Sequence, residues 1–242
     1  MAEKIHFTSI DSTNAEVARR FKAETREKEI IITAEYQTIG RGRSTNRWYS
    51  DAAKNLLMSW GCHPEFLSVS DQFKLSKAVS LALCGLLDDN NIVSSIKWPN
   101  DIYVSGKKIA GILIENQLMG GSIRSSIIGI GLNVNQVEFP PEAGFPVSMK
   151  LLTGRDMEVP PLADGLLVKM RAAVDALKSD LFSLDGAYHS RLYKLGEECL
   201  FSVNGNEFSG KIRGVDDSGQ LVLESATGIR SYGFHEISMI IS

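Results

Sequence analysis

The sequence predicts an α+β fold, in which a mixed β-sheet with packed helices is followed by a small β-barrel. Strand-like segments outnumber helical ones, and several are joined by hairpins rather than by the crossover helices of a doubly wound parallel sheet. After Gly196, short strands alternate with the turn signals Asn204-Gly205 and Asp217-Ser218-Gly219, which is typical of a small barrel. We therefore predict a large domain at 1–193 and a small one at 194–242.

The first half of the chain contains both helical and strand-like segments. Thr13 and Glu16 have the spacing of a capping box, which predicts that a helix begins near Ser12 or Thr13. Hydrophobic periodicity and β-branched content predict strands at 29–37 and 54–62, a loop at 38–50 between them, and a well-buried helix at 70–90.

The second half continues the sheet and then becomes helical. Residues 101–116 predict a hairpin that turns at Ser105-Gly106. The proline-rich stretch 138–161 predicts an irregular connection, because proline interrupts both helices and strands. Further strands are predicted at 95–99 and 122–135, and a helical segment at 162–195 with apolar positions Leu166, Met170, Val174, Leu177 and Leu181.

The bulk composition excludes several classes of protein. With 242 residues, 43% hydrophobic content and a net charge of −3, the chain can bury a core but lacks the basic excess of a nucleic-acid-binding protein. Cys62, Cys84 and Cys199 match no metal or disulfide pattern, and the longest apolar run, 78–87, is too short to cross a bilayer. No signal-peptide core opens the sequence. We therefore predict a reduced, cytoplasmic protein that is not inserted in a membrane.

The loop TIGRGRSTNRWYS at 38–50 combines glycine, arginine and a large aromatic ring. Arginine presents a planar fork of donors that matches a phosphate or a carboxylate, and glycine lets the backbone approach a ligand closely. Arg41, Gly42 and Arg43 supply both features, and Trp48 is large enough to cover an apolar part of a ligand. A solvated surface loop explains the same composition equally well.

A pair of lysines follows in the segment KWPNDIYVSGKKIAGILIE at 97–115. Strand alternation places Lys108 on the same face as Ala110 and Ile112, and Lys107 on the opposite face. One of the two lysines can therefore point into a pocket, where a compact positive charge stabilises a developing phosphoryl charge. Surface lysines beside a hairpin turn are the structural alternative.

Two shorter segments complete the set of candidates. Asn100 and Asp101 offer hard oxygen ligands that suit a triphosphate-bound Mg²⁺, although a plain turn after proline explains them as well. The glycines of GIGLNVN at 129–135 lie inside a predicted strand, which indicates close approach of a ligand or a β-bulge. The sequence contains no P-loop, no complete dinucleotide fingerprint and no GxSxG nucleophile elbow.

Taken together, these motifs make the sequence similar to the biotin protein ligases. In family order they are DSTN at 11–14, AEYQTIGRGR at 34–43 followed by Trp48, KWPND at 97–101, KIAGILIE at 108–115 and GIGLNVN at 129–135. Five motifs in the family's order are far more specific than any one of them. The resemblance implies a class II synthetase-like catalytic domain that binds biotin and ATP over 1–193, and an SH3-like β-barrel over 194–242.

The resemblance also implies a reaction and a set of site residues. The protein would couple biotin to ATP in the presence of Mg²⁺, form biotinyl-5′-AMP, and pass the biotinyl group to a lysine of a biotin carboxyl carrier domain, such as that of acetyl-CoA carboxylase. Lys108, Arg41 and Arg43 are the expected catalytic residues. The expected biotin contacts are Ser12, Thr13, Asn14, Gln37, Arg41, Gly42, Arg43, Lys108 and Gly111. The expected ATP and adenylate contacts are Arg43, Trp48, Asn100, Asp101, Lys108 and Asn133, with Asp101 also the expected magnesium ligand.

Some features differ from the family pattern or leave alternatives open. Thr45 stands where many relatives have a glycine, which affects how freely the loop closes. The eleven residues before Ser12 are too few for the DNA-binding domain of the repressor relatives, so no DNA binding is expected. The resemblance allows a homodimer through exposed sheet edges. The alternatives are a lipoate or octanoate ligase of the same fold and a non-catalytic biotin-binding sensor.

Overall fold

The computed structural model describes residues 2–23, 28–44, 46–179 and 184–240. Within these ranges the α-helices are α1 (Thr13–Ala23), α2 (Gln72–Asp89), α3 (Met149–Thr153), α4 (Val159–Ala176) and α5 (Leu184–Ser190). The strands of the first sheet are β1 (Glu3–Ile10), β2 (Ile30–Gln37), β3 (Leu56–Cys62), β4 (Ser95–Lys97), β5 (Asp101–Val104), β6 (Lys107–Met119) and β7 (Ser122–Leu132). Those of the second are β8 (Glu198–Val203), β9 (Asn206–Val215), β10 (Leu221–Ser225), β11 (Gly228–Tyr232) and β12 (Ser238–Met239). Short 3-10 helices lie at Val69–Asp71 and Pro141–Ala143.

The first sheet has seven strands in the order β1-β2-β3-β7-β6-β5-β4. Only β1 and β2 run parallel, and every other neighbouring pair is antiparallel. Hairpins join β4 to β5, β5 to β6, and β6 to β7, and the one between β5 and β6 turns at Ser105-Gly106, as the sequence predicted. The predicted mixed sheet with packed helices is therefore confirmed.

Alternation along β3 separates the two faces of this sheet. Met58 and Trp60 belong to the main core, into which α2 and α4 bury residues such as Leu83 and Leu167. Ser59 and Gly61 point to the opposite face, where α1 packs. Each fully buried leucine or methionine contributes roughly 1.5–3 kcal/mol to the stability of the fold. The α1 face is less apolar, and the candidate site lies on it.

The start of α1 agrees with the sequence prediction, but the predicted capping box does not form. The Glu16 carboxylate accepts hydrogen bonds from Arg19 and Arg20 at 2.8 and 2.9 Å instead of returning to the helix start. The Thr13 hydroxyl lies 2.7 Å from the Ser59 hydroxyl. Glu16 is engaged by two arginines of its own helix, and Thr13 is engaged by Ser59 of β3, so neither side chain bonds to the helix start. Thr13 lines the cleft instead.

Two predictions for the region after β7 were partly wrong. The stretch 138–161 contains the short helix α3 and the first turn of α4, because prolines are tolerated in the first turn of a helix. The predicted helical segment 162–195 is two helices, α4 and α5, separated by residues that include a turn at 177–179. Leu181 lies outside the described residues.

The second sheet is antiparallel, with the strand order β11-β10-β9-β8-β12. This five-stranded antiparallel sheet is consistent with the predicted small SH3-like domain. Within the described residues its edge strands β11 and β12 do not pair with each other, so the barrel is open. β12 has only two residues and pairs with β8 alone, which leaves too short a strand to close the sheet. The domain boundary at 193/194 stays a prediction.

The two sheets share one hydrophobic core. Phe201, Ile212 and Leu223 of the second sheet belong to the same buried cluster as the residues between α2, α4 and the first sheet. The indole nitrogen of Trp98 donates a hydrogen bond to the carbonyl oxygen of Gly219 at 2.9 Å. In the part of the chain that the structure describes, no helix is both long and apolar enough to cross a bilayer.

Candidate active site

A cleft of about 570 Å³ lies where the start of α1, the loop after β2, strands β4 to β7 and the segment before β12 meet. The start of α1, the loop after β2 and strands β4 to β7 carry the five separate motifs of the sequence, and the fold brings them together with a segment before β12 that carries none. The predicted site residues that line the cleft are Ser12, Thr13, Asn14, Gln37, Arg41, Gly42, Arg43, Trp48, Asn100, Asp101, Lys108 and Gly111. Asn133 is the exception and is described below.

Polar groups at the start of α1 form one end of the cleft. The side-chain oxygen of Gln37 accepts hydrogen bonds from the backbone nitrogen of Thr13 at 2.7 Å and from its hydroxyl at 3.1 Å. The Ser59 hydroxyl lies 2.6 Å from the side-chain oxygen of Asn14. These contacts fix the orientation of the Gln37 amide, whose NH₂ group has no hydrogen-bond partner within the described ranges and remains free to bind a ligand oxygen.

Two glycines of β7 make room for side chains of this site. A Cβ atom at Gly129 would overlap the Asn14 amide, and one at Gly131 would overlap the Trp48 ring. The close approach predicted for GIGLNVN is therefore present, and the approaching groups are protein side chains. Strand pairing places Gly111 opposite Gly131, so these glycines form a flat floor under the Trp48 indole.

Lys108 lies in the cleft, but the predicted side-chain alternation around it is wrong. A β-bulge between the Ile102–Ala110 and Tyr103–Lys108 pairs adds one residue to β6, which shifts Lys108 to the face of Gly111. Ala110 and Ile112 point into the main core instead. The Lys108 ammonium group lies 2.7 Å from an Asp101 carboxylate oxygen and 5.7 Å from the centre of the Trp48 ring.

The Arg41 side chain is held by Glu115, a residue that the sequence analysis did not single out. One Glu115 oxygen lies 2.8 Å from the Arg41 guanidinium, and the other accepts a hydrogen bond from the Asn14 amide at 2.8 Å. Glu115 thus joins the loop after β2 to the start of α1. The sequence indicated Glu115 only as the last residue of the motif KIAGILIE. Its contacts with Arg41 and Asn14 depend on strand register, which the sequence does not show.

Arg43 occupies a more enclosed position in the same loop. Its guanidinium lies 3.4 Å from the side-chain oxygen of Asn100, and burial lowers its pKa while the nearby Asp101 charge opposes that change. The loop is closed by a hydrogen bond from the Gly42 nitrogen to the Asn46 carbonyl oxygen at 2.8 Å. Thr45 lies outside the described residues, so its effect on loop closure stays a prediction.

Lys97 is a cleft residue that the sequence analysis missed. Its ammonium group lies 5.5 Å from the centre of the Tyr103 ring, and it makes no ion pair with any of the residues that the structure describes. Burial lowers the pKa of Lys97, Asp101 opposes this change, and the positive charge of Lys108 lowers the pKa further. The sequence indicated Lys97 only as the first residue of the KWPND motif.

A second cavity of about 430 Å³ lies on the other side of Trp48. Trp48 and Lys108 line both cavities, and Asn133 lines only the second. The Asn133 amide is buried and donates a hydrogen bond to the Val147 carbonyl oxygen at 3.0 Å, so it holds the wall of this cavity. The buried indole nitrogen of Trp48 has no hydrogen-bond partner in the described part of the protein.

The arrangement suits a ligand with a polar neutral head, a carboxylate and a phosphate. The polar end of the cleft supplies amide and hydroxyl donors, the glycine floor and Trp48 supply an apolar surface, and the cations lie near the junction of the two cavities. No cluster of three or more His, Cys, Asp or Glu residues is found in the described ranges. A divalent cation would therefore depend on phosphate oxygens, with Asp101 as a single carboxylate ligand.

Comparisons with known proteins agree with this geometry. The Biotin/lipoate A/B protein ligase family matches residues 6–133, and the Biotin protein ligase C terminal domain matches residues 194–239. The biotin--[acetyl-CoA-carboxylase] ligase of Paracoccus denitrificans is 30% identical over 228 residues, which cover 90% of this chain and 92% of that protein. The bifunctional ligase/repressor BirA of Bacillus subtilis is 29% identical over 235 residues, covering 95% of this chain and 72% of that protein.

The whole architecture is shared with a solved structure. The biotin protein ligase of Aquifex aeolicus in complex with biotin and ATP has a TM-score of 0.82 to this chain at 28% sequence identity. The similarity covers 99% of both chains, and therefore includes both sheets.

Proposed function

This chain belongs to the Biotin/lipoate A/B protein ligase family, and from that premise we propose that it is an ATP-dependent biotin protein ligase. It forms biotinyl-5′-AMP from biotin and ATP, and it then transfers the biotinyl group to a lysine of a biotin carboxyl carrier domain. The names of its relatives favour biotin over the lipoate or octanoate alternative, and they favour an enzyme over a silent sensor.

One observation supports this proposal most directly, namely that Lys108 lines both cavities. The ureido head of biotin binds at the Thr13 and Gln37 end of the cleft, where a free amide donor faces the cavity. Its carboxylate then reaches Lys108, where the phosphates of ATP lie beside Asn100 and Asp101, and the rest of the nucleotide occupies the second cavity at Trp48. The two anionic reactants meet at a lysine.

The first step is attack of a biotin carboxylate oxygen on the α-phosphorus of ATP. The new bond is an acyl–phosphate bond, the bond to the β-phosphate oxygen breaks, and pyrophosphate leaves with that electron pair. Lys108 offsets the repulsion between carboxylate and phosphate, and this effect is largest in the transition state, where negative charge accumulates. Asp101, at 2.7 Å, fixes the position of the Lys108 ammonium group.

The second step uses the amine of the acceptor lysine as its nucleophile. The amine attacks the acyl carbon of the adenylate, an amide bond forms, a proton is lost from nitrogen, and AMP leaves. Both nucleophiles therefore come from the substrates, and no protein nucleophile takes part in the proposed mechanism. Arg41 and Arg43 bind the adenylate and shield it from water while the acceptor approaches.

Magnesium accompanies ATP in this proposal. The donor set fits a phosphate-bound ion, because Mg²⁺ usually keeps several waters and needs only one or two protein carboxylates. Asp101 is the candidate carboxylate, and Asn100 contributes an amide oxygen beside it. When bound, the ion neutralises part of the triphosphate charge, while Lys97 and Lys108 supply the protein's own positive charge.

The partner proteins and the location of the protein are proposed from the same resemblance. We propose a carrier domain of acetyl-CoA carboxylase or a similar carboxylase as acceptor, a cytoplasmic location, and no binding to operator DNA or membranes. A homodimer through exposed sheet edges is the proposed assembly. A gel-shift with biotin-operon DNA tests the DNA prediction, and specific retardation would contradict it.

The decisive experiment is a ligation assay with biotin, Mg-ATP and a biotin carrier domain, read by intact-protein mass spectrometry. We expect one carrier lysine to gain one biotinyl group, with no gain when ATP is omitted. Pyrophosphate exchange with biotin or lipoate, measured in parallel, identifies the acid that is activated. Exchange with lipoate alone, or no carrier modification at all, would refute the proposed function.

A further inference from the structure

The segment Gly233–Ile237, which precedes β12, lies against the loop that bears Arg43. The guanidinium carbon of Arg43 is 5.1 Å from the centre of the Phe234 ring, within the range of a cation–π contact. A guanidinium nitrogen also lies 3.4 Å from the Phe234 carbonyl oxygen, and the Ser44 hydroxyl lies 3.5 Å from the His235 ring. The connection between β11 and β12 therefore touches the loop at 38–50 directly.

The Phe234 ring is held in place by other aromatic rings. Its centre is 5.5 Å from that of Trp98 and 5.8 Å from that of Phe73. The turn that presents it is closed by a hydrogen bond from the Gly233 nitrogen to the Glu236 carboxylate at 2.7 Å. A ring fixed in this way offers Arg43 a preorganised partner, so little side-chain entropy is lost when the contact forms.

The other contacts of Arg43 are weak in comparison. Both of its hydrogen bonds are 3.4 Å long, beyond the usual range for N–H···O bonds, and it forms no ion pair within the described residues. Arg41, in the same loop, has a carboxylate partner at 2.8 Å. The two arginines are therefore held differently, Arg41 by charge and Arg43 mainly by the face of an aromatic ring.

We propose that Phe234 is a positioning residue that holds Arg43 over the cleft and thereby slows the escape of the acyl-adenylate. Only the slower escape of the adenylate rests on the proposed function. The position of the loop that bears Arg43 can be measured without any ligand. Phe234 itself acts through Arg43 and takes no part in the chemistry. The same contact joins the segment before β12 to the loop that bears Arg43.

The first test measures the loop in the ligand-free protein by limited trypsin digestion. Phe234→Leu keeps an apolar side chain but removes the ring, so the initial rate of cleavage after Arg43 should rise about threefold to tenfold, as expected for the loss of one cation–π contact. Cleavage after Arg155, an exposed residue in the connection after α3 and away from this loop, provides an internal reference. Phe234→Tyr should restore most of the protection, and Phe208→Leu, a matched change in the same sheet away from the cleft, should not affect it.

The second test measures release of biotinyl-5′-AMP from the loaded enzyme in the absence of carrier. Phe234→Leu should release the adenylate about threefold to tenfold faster, with Phe234→Tyr close to the wild type and Phe208→Leu unchanged. Equal trypsin cleavage and equal release in wild type and Phe234→Leu would overturn the proposal, as would the same changes in Phe208→Leu. If the wild type formed no adenylate, the proposed function would fail, and the trypsin result would still decide the role of Phe234.

Discussion

Among single residues, Lys108 is the one whose removal should slow the chemistry most. Its ammonium group lies at the junction of the two cavities and 2.7 Å from Asp101. We expect Lys108→Ala to lower the rate of adenylate formation about 100- to 1,000-fold, with little change in biotin affinity measured by calorimetry. Lys107→Ala is the matched control, since this neighbouring lysine is exposed. Normal adenylation by Lys108→Ala would show that another group stabilises the phosphoryl charge.

A second prediction at this scale concerns the glycine floor. The Cβ of alanine at Gly131 would overlap the Trp48 ring, which already lies against the floor formed by Gly111 and Gly131. We expect Gly131→Ala to lower the free energy of unfolding by about 1–3 kcal/mol, the usual cost of overpacking, as measured by urea denaturation. Gly186→Ala on α5 is the control and should be neutral or stabilising, since outside the backbone of its own helix no atom of the described residues lies within 4 Å of an added Cβ. A stable Gly131→Ala protein would mean that Trp48 can move.

The predictability of site residues depended on how each one is positioned. Residues inside the motifs, such as Gln37 and Lys108, could be named from the sequence because the resemblance assigned them. Glu115 and Ser59 could not, since their partners are set by strand register and by the packing of α1. The orientation of Lys108 was predicted wrongly because a β-bulge leaves no periodic signal in the sequence.

At the scale of elements, the β4–β5 hairpin adds a titratable group to the cleft. Burial lowers the pKa of Lys97, so its contribution to ATP binding is present below that lowered pKa and is lost as the pH rises through it. We expect the KM for ATP to rise as the pH is raised. The rise should begin at a lower pH than it would if Lys97 had the ordinary pKa of a lysine. Lys97→Met should raise the KM at neutral pH and remove this dependence. An unchanged pH profile in Lys97→Met, with Lys107→Met as control, would contradict the assignment.

The elements with strong periodicity were predictable, and the others were not. α2 and β2 carry continuous apolar patterns, and both lie where the sequence placed them. β1 was not predicted, because it is an edge strand whose outward residues are polar and exposed. The prolines at the start of α4 were taken as an interruption, although proline fits the first turn of a helix.

At the scale of the whole molecule, the shared core links the two sheets energetically. Leu223 of the second sheet is 1% exposed and belongs to the same cluster as the first sheet's core. We expect a single cooperative unfolding transition, with circular dichroism and ligation activity lost at the same denaturant concentration. Leu223→Ala should destabilise the whole protein by about 2–5 kcal/mol, whereas Ile229→Ala, at an exposed position on β11, should not. Two separate transitions would show that the sheets fold independently.

The position of Trp48 between the two cavities also gives the molecule an intrinsic optical reporter. Among the residues that the structure describes, its buried indole nitrogen has no hydrogen-bond partner. Its ring contacts the glycine floor and Lys108, so its emission is sensitive to the occupants of both cavities. Trp60 and Trp98 donate their indole protons to protein oxygens and supply a more constant background. Stopped-flow fluorescence of the unlabelled protein can therefore distinguish the binding of biotin from the binding of ATP, and so establish their order of binding.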